Sequence, residues 1–206
     1  VADKAAAVVL LVESGGVRLH EANAGLIAVS EVMRALLDAR AAGVPVIVLV
    51  GGSNGAFGGM GIVSRCANVV VMSEEGRLAM SGPEVIETAN GVEEFDSRDR
   101  ALVWRSTGGK HRYLMGDCQH IVADDIAAFR AAAREAVAQY ASEPAELSLE
   151  ALETEQRMLS ERIARFGDLP DPVDIWSAMQ MPDAANVPML EVDSFIAAAA
   201  TRRMGA

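Results

Sequence analysis

Glycine occupies positions 15, 16, 51, 52, 55, 58, 59 and 61, within "ESGG" (Glu13 to Gly16) and "GGSNGAFGGMG" (Gly51 to Gly61). Each stretch follows an apolar run, "AVVLLV" before the first and "PVIVLV" before the second. A glycine pair between a buried strand and a helix start presents backbone N–H groups that no Cβ shields, and the helix dipole reinforces them. Donors placed this way can hold an oxygen that becomes anionic during a reaction. The chemistry they suit is polarisation of a thioester carbonyl and stabilisation of its enolate. Gly15 and Gly16 are the candidate donors of the first stretch, and Gly58 and Gly59 those of the second. Glycines also serve sharp turns and close helix–sheet packing. That purely structural use competes at every position and is the one expected of Gly51, Gly52 and Gly55.

Nucleotide phosphate binding does not fit the spacing. A P-loop needs Gly-Lys-Ser or Gly-Lys-Thr, and "GGKH" (Gly108 to His111) ends in histidine. The dinucleotide fingerprint needs a third glycine where Ser64 stands. Ser14 has no base beside it in sequence, which disfavours a serine-nucleophile hydrolase.

The elements that must position these glycines follow from the apolar pattern. "AVVLLVES" (Ala7 to Ser14), "PVIVLV" (Pro45 to Val50) and "NVVVMS" (Asn68 to Ser73) read as buried strands. "RLAMS" (Arg77 to Ser81) and "QHIVA" read as shorter ones. Leu26, Val29, Met33, Leu36 and Leu37 share one face of a helix spanning Glu21 to about Ala42. Gly43 ends that helix, and another starts near Gly58. Pro83 opens a further helix behind Gly82. A short helix is expected near Asp99 to Arg105, then a loop at Gly108-Gly109. Two strong helices follow, with stripes Ile126, Phe129, Ala133, Val137, Tyr140 and Leu149, Leu152, Gln156, Leu159, Ile163, Phe166; Pro144 separates them. Strands alternating with helices predict an α/β fold with parallel strands. Neighbouring strand ends of a parallel sheet lie on one side, so both glycine stretches can face one cleft. Residues 1–144 are expected to form the core. Residues 145–206 are expected to be a helical C-terminal arm packed on it.

The 206 residues suffice for one sizeable core plus such an appendage. A net charge of −11 argues against nucleic acid as a partner. No apolar run approaches the roughly 20 residues of a membrane span, and no signal peptide is evident. Cys66 and Cys118 have neither CxxC nor metal-type spacing, so no metal site is expected. They suit a reducing, cytoplasmic setting and packing roles. The chain starts without Met at "VADKAAAVVLLVES", as if entered mid-domain.

"ESGGVRLHEANAGLIAVSEVM" resembles the SGGxRxxE segment of the carboxyltransferase subunits of acyl-CoA carboxylases. "GAFGGMGIVSRCANVVVMSEEGRLAMSGPEVIE" resembles their second segment, ending in GPxVIE. Both belong to the crotonase superfamily, so a crotonase/ClpP-like superhelix of parallel strands and helices is implied. "GVEEFDSRDRALVWRSTGGKHRYLMGD", the Asp-Asp helix and the "FGD…DIW" tail are similar to the β subunits of biotin-independent malonate decarboxylases. That likeness covers essentially the whole chain. Members of that family carry an additional N-terminal region ahead of the point where this chain begins.

The resemblance implies decarboxylation of a malonyl thioester carried by an acyl-carrier subunit. The carrier's prosthetic arm is a phosphoribosyl-dephospho-coenzyme A group, and no cofactor is held by this chain itself. Biotin is not required. The products are acetyl thioester and carbon dioxide. A γ subunit completes the active unit, and an α subunit exchanges malonate for acetate on the carrier. Two alternatives stand beside this: a carboxyltransferase subunit of a biotin-dependent carboxylase, and a structural partner of a catalytic γ subunit.

Enoyl-CoA hydratases of the superfamily carry one acid shortly after the glycine triplet and a second after GxPE. Here the first place is Ile62 or an apolar neighbour, and the second is Glu84 in "SGPE". Hydration needs both acids, so the loss of one argues against it. Glu84 is a candidate proton donor or positioning group, or simply a favourable first-turn charge. His20, just past the first glycine loop, can act as acid, base or anchor, or be solvated. Arg18 and Glu21 can pair to shape that loop. Arg98, Arg105, Lys110 and Arg112, with Arg100 and His111, can hold the malonyl carboxylate, the arm's phosphates or an acidic carrier surface. They can equally pair with Glu93, Glu94, Asp96 and Asp99.

Overall fold

The computed structural model describes residues 6–16, 18–21, 23–142 and 148–205. Four strands form one parallel sheet in the order β1 (Val8–Val12), β2 (Val46–Val50), β3 (Val69–Ser73) and β4 (His120–Val122). Val8 pairs with Val46, Val48 with Val70 and Val71 with His120. The strand starts are pinned by side-chain amides. The Val46 N–H donates to Asn68 Oδ1 and the Val70 N–H to Gln119 Oε1, each at 2.8 Å.

The crossovers are helical, as parallel pairing demands. α1 (Asn23–Ala41) links β1 to β2, and α2 (Gly59–Ser64) links β2 to β3. α3 (Pro83–Asn90), α4 (Arg100–Thr107) and α5 (Gly109–Leu114) separate β3 from β4. α6 (Ile126–Ser142) follows β4. α1 and α2 cover one sheet face, where Leu36, Val46 and Val63 are buried together. α6 covers the other face, where Ala132 and Ala136 meet Ile47 and Val71. Alanines there let the helix sit close to the β-branched sheet surface.

α6 covers β2, β3 and β4 but leaves the edge strand uncovered: Leu11 of β1 is 81% exposed. An apolar groove of about 470 Å³ runs between Leu11, Leu49, Ile126 and Phe129.

The C-terminal arm holds α7 (Leu149–Phe166), α8 (Pro172–Ala178), a 3₁₀ segment (Ala184–Met189) and α9 (Val192–Ala199). Phe166, Trp176, Val187 and Phe195 share one cluster with Leu114, Met115 and Ile121 of the core. The arm is therefore packed on α5 and β4. The boundary expected at residue 144, and the break expected at Pro144, lie outside the described residues.

Four expectations need correction. Arg77–Ser81 is not a strand of the sheet; it makes only single bridges, Leu78 to Ala56 and Arg77 to Gly108. Gly108-Gly109 is not an open loop. Gly108 ends α4, caps α5 and is buried, and a Cβ on Gly109 would collide with the Ser73 carbonyl. Most of the α7 stripe is turned outward, with Leu149, Leu152 and Ile163 exposed and Phe166 its one buried member. α7 docks through that Phe166, through Met158 and through two ion pairs, Glu155 with Arg65 and Arg162 with Asp117. In α1, Leu26 and Leu37 of the expected stripe are exposed, and Leu36 is the buried member.

Candidate functional site

Beyond the strand ends, a second set of parallel contacts joins three loops. Ser14 bridges Ala56, and Ala56 bridges Leu78. The Ser14 N–H donates to the Gly55 carbonyl at 2.7 Å, and the Phe57 N–H donates to the Ser14 carbonyl at 3.0 Å. On the other side, the Ala56 N–H donates to the Arg77 carbonyl at 2.7 Å. The two glycine stretches are thus stitched side by side one residue before Gly15 and one before Gly58.

The turn glycines are where they were expected. Gly52 and Gly55 both take φ of +73°, a left-handed conformation that costs other residues strain. A Cβ on Gly55 would also come within 2.6 Å of the Arg77 carbonyl oxygen.

At the start of α2, Gly58 takes φ 60° and ψ −136°, with no side-chain cap. The first bond reaching into this turn runs from the Ile62 N–H to the Gly58 carbonyl at 3.3 Å. The Gly59 N–H has no acceptor among the described residues. The Gly58 N–H does: it donates to the Met80 carbonyl at 2.9 Å. Of this pair, Gly59 is the one with a donor to offer. A Cβ on Gly59 would collide with Val29 Cγ2 of α1, so the helix start sits against α1 without clearance.

In the first stretch, Gly15 is exposed with open space where a Cβ would stand, and its N–H has no acceptor among the described residues. Gly16 takes φ +128°, and its N–H makes a long contact of 3.4 Å to Ser14 Oγ.

Glu84 stands exposed in the first turn of α3, whose first residue is Pro83 and whose cap is Gly82. That loop also carries Met80, so the α3 start is tied to Gly58 by one hydrogen bond. Ile62, where a hydratase would carry its other acid, is 43% exposed. His20 is exposed, in a 3₁₀ turn (Leu19–Glu21), with no polar contact among the described residues. Arg18 and Glu21 beside it pair at 3.7 Å, both well exposed.

The basic cluster is divided. Arg98 pairs with Asp96 at 3.3 Å and is exposed. Arg105 grips Asp171 of the arm through two nitrogens, at 2.9–3.1 Å. Lys110, buried, donates to the carbonyls of Pro188 at 2.9 Å and Leu190 at 2.5 Å, and lies 3.5 Å from Glu74. Arg112 pairs with Asp117 at 3.0 Å and donates to the Ser106 carbonyl. Of the acids expected to partner the cluster, Asp96 alone does so. Asp171, Glu74 and Asp117 were missed because they are distant in sequence or outside the charged run. Arg105, Lys110 and Arg112 hold the fold together here, each with an acid partner, while Arg112 Nε is buried without an acceptor among the described residues.

Burial raises the Asp117 carboxyl, but Arg112 and Arg162 more than offset this and hold it below the usual carboxylate range. His111 is buried and pushed down to about 3, first by burial and then by Arg112. Its neutral Nδ1 accepts from Trp176 Nε1 at 3.3 Å. Burial pushes the Cys118 thiol up to about 12 and raises Cys66 more modestly.

Arg77 is a positioning residue that pattern reading passed over. Its guanidinium lies over Phe57 at 5.8 Å and over Trp104 at 5.1 Å, bracing the residue that precedes Gly58. Among the described residues no group of three or more metal-ligating side chains occurs. No described helix is long and apolar enough to cross a membrane.

A family model described as the carboxyl transferase domain matches residues 2–164. The malonyl-S-ACP:biotin-protein carboxyltransferase MADC of Malonomonas rubra is 42% identical over 203 residues, which is 94% of this chain and 61% of that protein. A subunit in the crystal structure of a Pseudomonas malonate decarboxylase hetero-tetramer in complex with malonate superposes with a TM-score of 0.65. It is 37% identical over 89% of this chain and 60% of that one. The Pseudomonas malonate decarboxylase MdcD-MdcE hetero-dimer gives a TM-score of 0.58 and 35% identity over 74% of this chain and 61% of that one. The chain spans about three fifths of the length of each of these.

Proposed function

The chain belongs to the carboxyl transferase domain family, and from that premise we propose that it is the β-type subunit of a malonate decarboxylase. Its fold is the crotonase-type α/β fold that the resemblance implied. The proposed reaction removes the carboxyl group of a malonyl thioester, leaving an acetyl thioester and carbon dioxide. The observation that carries this is the Ser14–Ala56 bridge, which sets two strand-end glycine loops side by side, in a chain so similar to two malonyl-handling proteins.

When the bond from the α-carbon to the carboxylate breaks, its electron pair moves onto the thioester oxygen as an enolate. The Gly59 N–H, and Gly15 with Gly16 opposite, are the donors assigned to that oxygen. Removing one such donor costs roughly 3–4 kcal/mol in known enzymes. Collapse of the enolate returns the electron pair to the α-carbon, which takes a proton. Glu84 is assigned as proton donor or as the group that positions it, with His20 a second titratable candidate beside the first glycine loop. The malonyl group arrives as substrate on the phosphoribosyl-dephospho-coenzyme A arm of an acyl-carrier subunit. A γ subunit completes the pocket, and an α subunit reloads the carrier.

The test is carbon dioxide release from malonyl-CoA by this chain alone, by its partner alone and by the two together. Release that requires this chain supports the proposal. Full release by the partner alone leaves this chain a structural role. A second proposal is favoured by the printed name of the Malonomonas rubra relative: transfer of the carboxyl group to biotin on a carrier protein. Adding a biotinylated carrier separates the two. Carboxybiotin formed in place of free carbon dioxide selects transfer.

A further inference from the structure

A groove of about 810 Å³ runs along the C-terminal arm between α7, the end of α8 and the last turns of the chain. Arg157, Arg165, Arg202 and Arg203 line it against one carboxylate, Glu161. Four cations and one anion give the lining a formal charge of +3, in a chain whose net charge is −11.

What sets these arginines apart is how they are held. Arg202 donates to the carbonyls of Gln180 at 2.8 Å and Ala198 at 2.7 Å. Arg203 donates to the carbonyls of Tyr113 at 3.1 Å and Cys118 at 2.7 Å. Arg157 donates to Thr154 Oγ1 at 2.8 Å. These acceptors are neutral, so they fix each guanidinium without cancelling its charge. Arg165 alone has a carboxylate, Glu161 at 3.1 Å. Elsewhere Arg105, Lys110 and Arg112 are each matched by an acid. In the groove every arginine also keeps at least one nitrogen with no acceptor among the described residues.

Prepositioned guanidinium forks favour phosphate oxygens, which they can grip two at a time. A protein interface needs an exposed apolar or aromatic anchor at its centre. The methionines of this lining do not supply one: Met179 and Met204 are buried and Met158 packs on the same core cluster. The groove is also remote from the glycine loops. Arg203 holds Cys118, just before the start of β4, whereas the glycine loops follow the ends of β1 and β2. We propose that this groove binds a phosphate-rich small molecule, a diphosphate or larger, at a site separate from the acyl site.

Calorimetry on the full chain with inorganic pyrophosphate, ATP and coenzyme A tests this, with phosphate-free pantetheine and poly-glutamate as controls. One equivalent of pyrophosphate is expected to bind, more weakly as salt rises. Arg157→Gln and Arg165→Gln should each weaken binding about tenfold, the worth of one charge-assisted hydrogen bond. Arg157 is exposed and makes one side-chain hydrogen bond, so its variants should fold. Arg157→Glu should abolish binding while malonyl-thioester turnover stays unchanged. The ranking of ATP against coenzyme A identifies the source of the phosphates. No binding of pyrophosphate, affinity unmoved by both glutamine variants, or preference for poly-glutamate over all three phosphates would overturn the proposal.

Discussion

The backbone N–H of Phe57 donates to the carbonyl of Ser14 at 3.0 Å, joining the loop after β2 to the loop after β1. Ser14 lies one residue before Gly15 and Phe57 two residues before Gly59, so the separation of the two donor sets is set by backbone and not by mobile side chains. Preorganisation of this kind is what makes an oxyanion site effective, because its dipoles need no rearrangement as charge develops.

Removing the Gly59 donor is expected to lower the rate of carbon dioxide release by about 10²–10³. Gly59→Pro alone is a poor probe, because any Cβ there meets Val29. The informative pair is Gly59→Ala/Val29→Ala and Gly59→Pro/Val29→Ala. Relieved of the clash, the alanine form keeps the N–H and should turn over near the parent rate, while the proline form should not. Equal rates in two folded double variants would show that the Gly59 N–H takes no part.

Glu84→Gln should leave the melting temperature almost unchanged, since the side chain is exposed and a first-turn charge is worth only about 0.3–1 kcal/mol. A proton donor at this place predicts a rate loss of about 10²–10⁴ and a changed pH–rate profile. A variant with the parent's rate and profile assigns Glu84 to helix start alone.

Arg105→Ala should destabilise the chain by about 1–3 kcal/mol, since it strands a partly buried carboxylate. Asp171 accepts from the Val173 N–H at 2.9 Å as well as from Arg105, so Asp171→Ala should cost more than Arg105→Ala. Urea unfolding of the two single variants and the double variant should show costs that fail to add. Additive costs would mean that the pair does not anchor the arm.

The His111 pKa of about 3 in the folded chain lies below its unfolded value near 6.5. The unfolded chain therefore binds the extra proton between these values. Stability is fully present above about pH 6.5 and is lost as pH falls towards 3, at most about 1.4 kcal/mol per pH unit from this group. Denaturant midpoints measured from pH 7 to pH 4 should fall in the parent and fall less steeply in His111→Gln. Parallel curves would remove His111 from the acid response.

Cys118, with its thiol pushed up to about 12, should resist alkylation at pH 8 in the folded chain. Cys66 should react slowly, and both should react in denaturant. Rapid native labelling of Cys118 would contradict its burial.

The strands were legible because buried parallel strands are continuous apolar runs cut by Gly or Pro, as at Gly43-Val44-Pro45. The helix start at Pro83 was legible from its capping chemistry, whereas Asp99 shows itself as the cap of α4 only in the structure, where it accepts from the Leu102 N–H. What sequence did not reveal depends on partners remote in the chain. Nothing near Gly58 indicates that its N–H is taken by Met80, 22 positions on, and nothing near Arg105 points to Asp171. The α7 stripe misled for another reason. Periodicity identifies an apolar face but not which flank docks, and here the ion pairs of Glu155 and Arg162 turned the helix aside.

The uncovered edge strand has a consequence for handling. Among the described residues, β1 is an edge strand with one row of backbone groups unpaired and with Leu11 exposed, the kind of edge along which strands of separate molecules zip together. Purified by itself, the chain should self-associate, and its apparent thermal midpoint should shift with protein concentration. Co-purification with a companion that caps this edge should abolish that dependence.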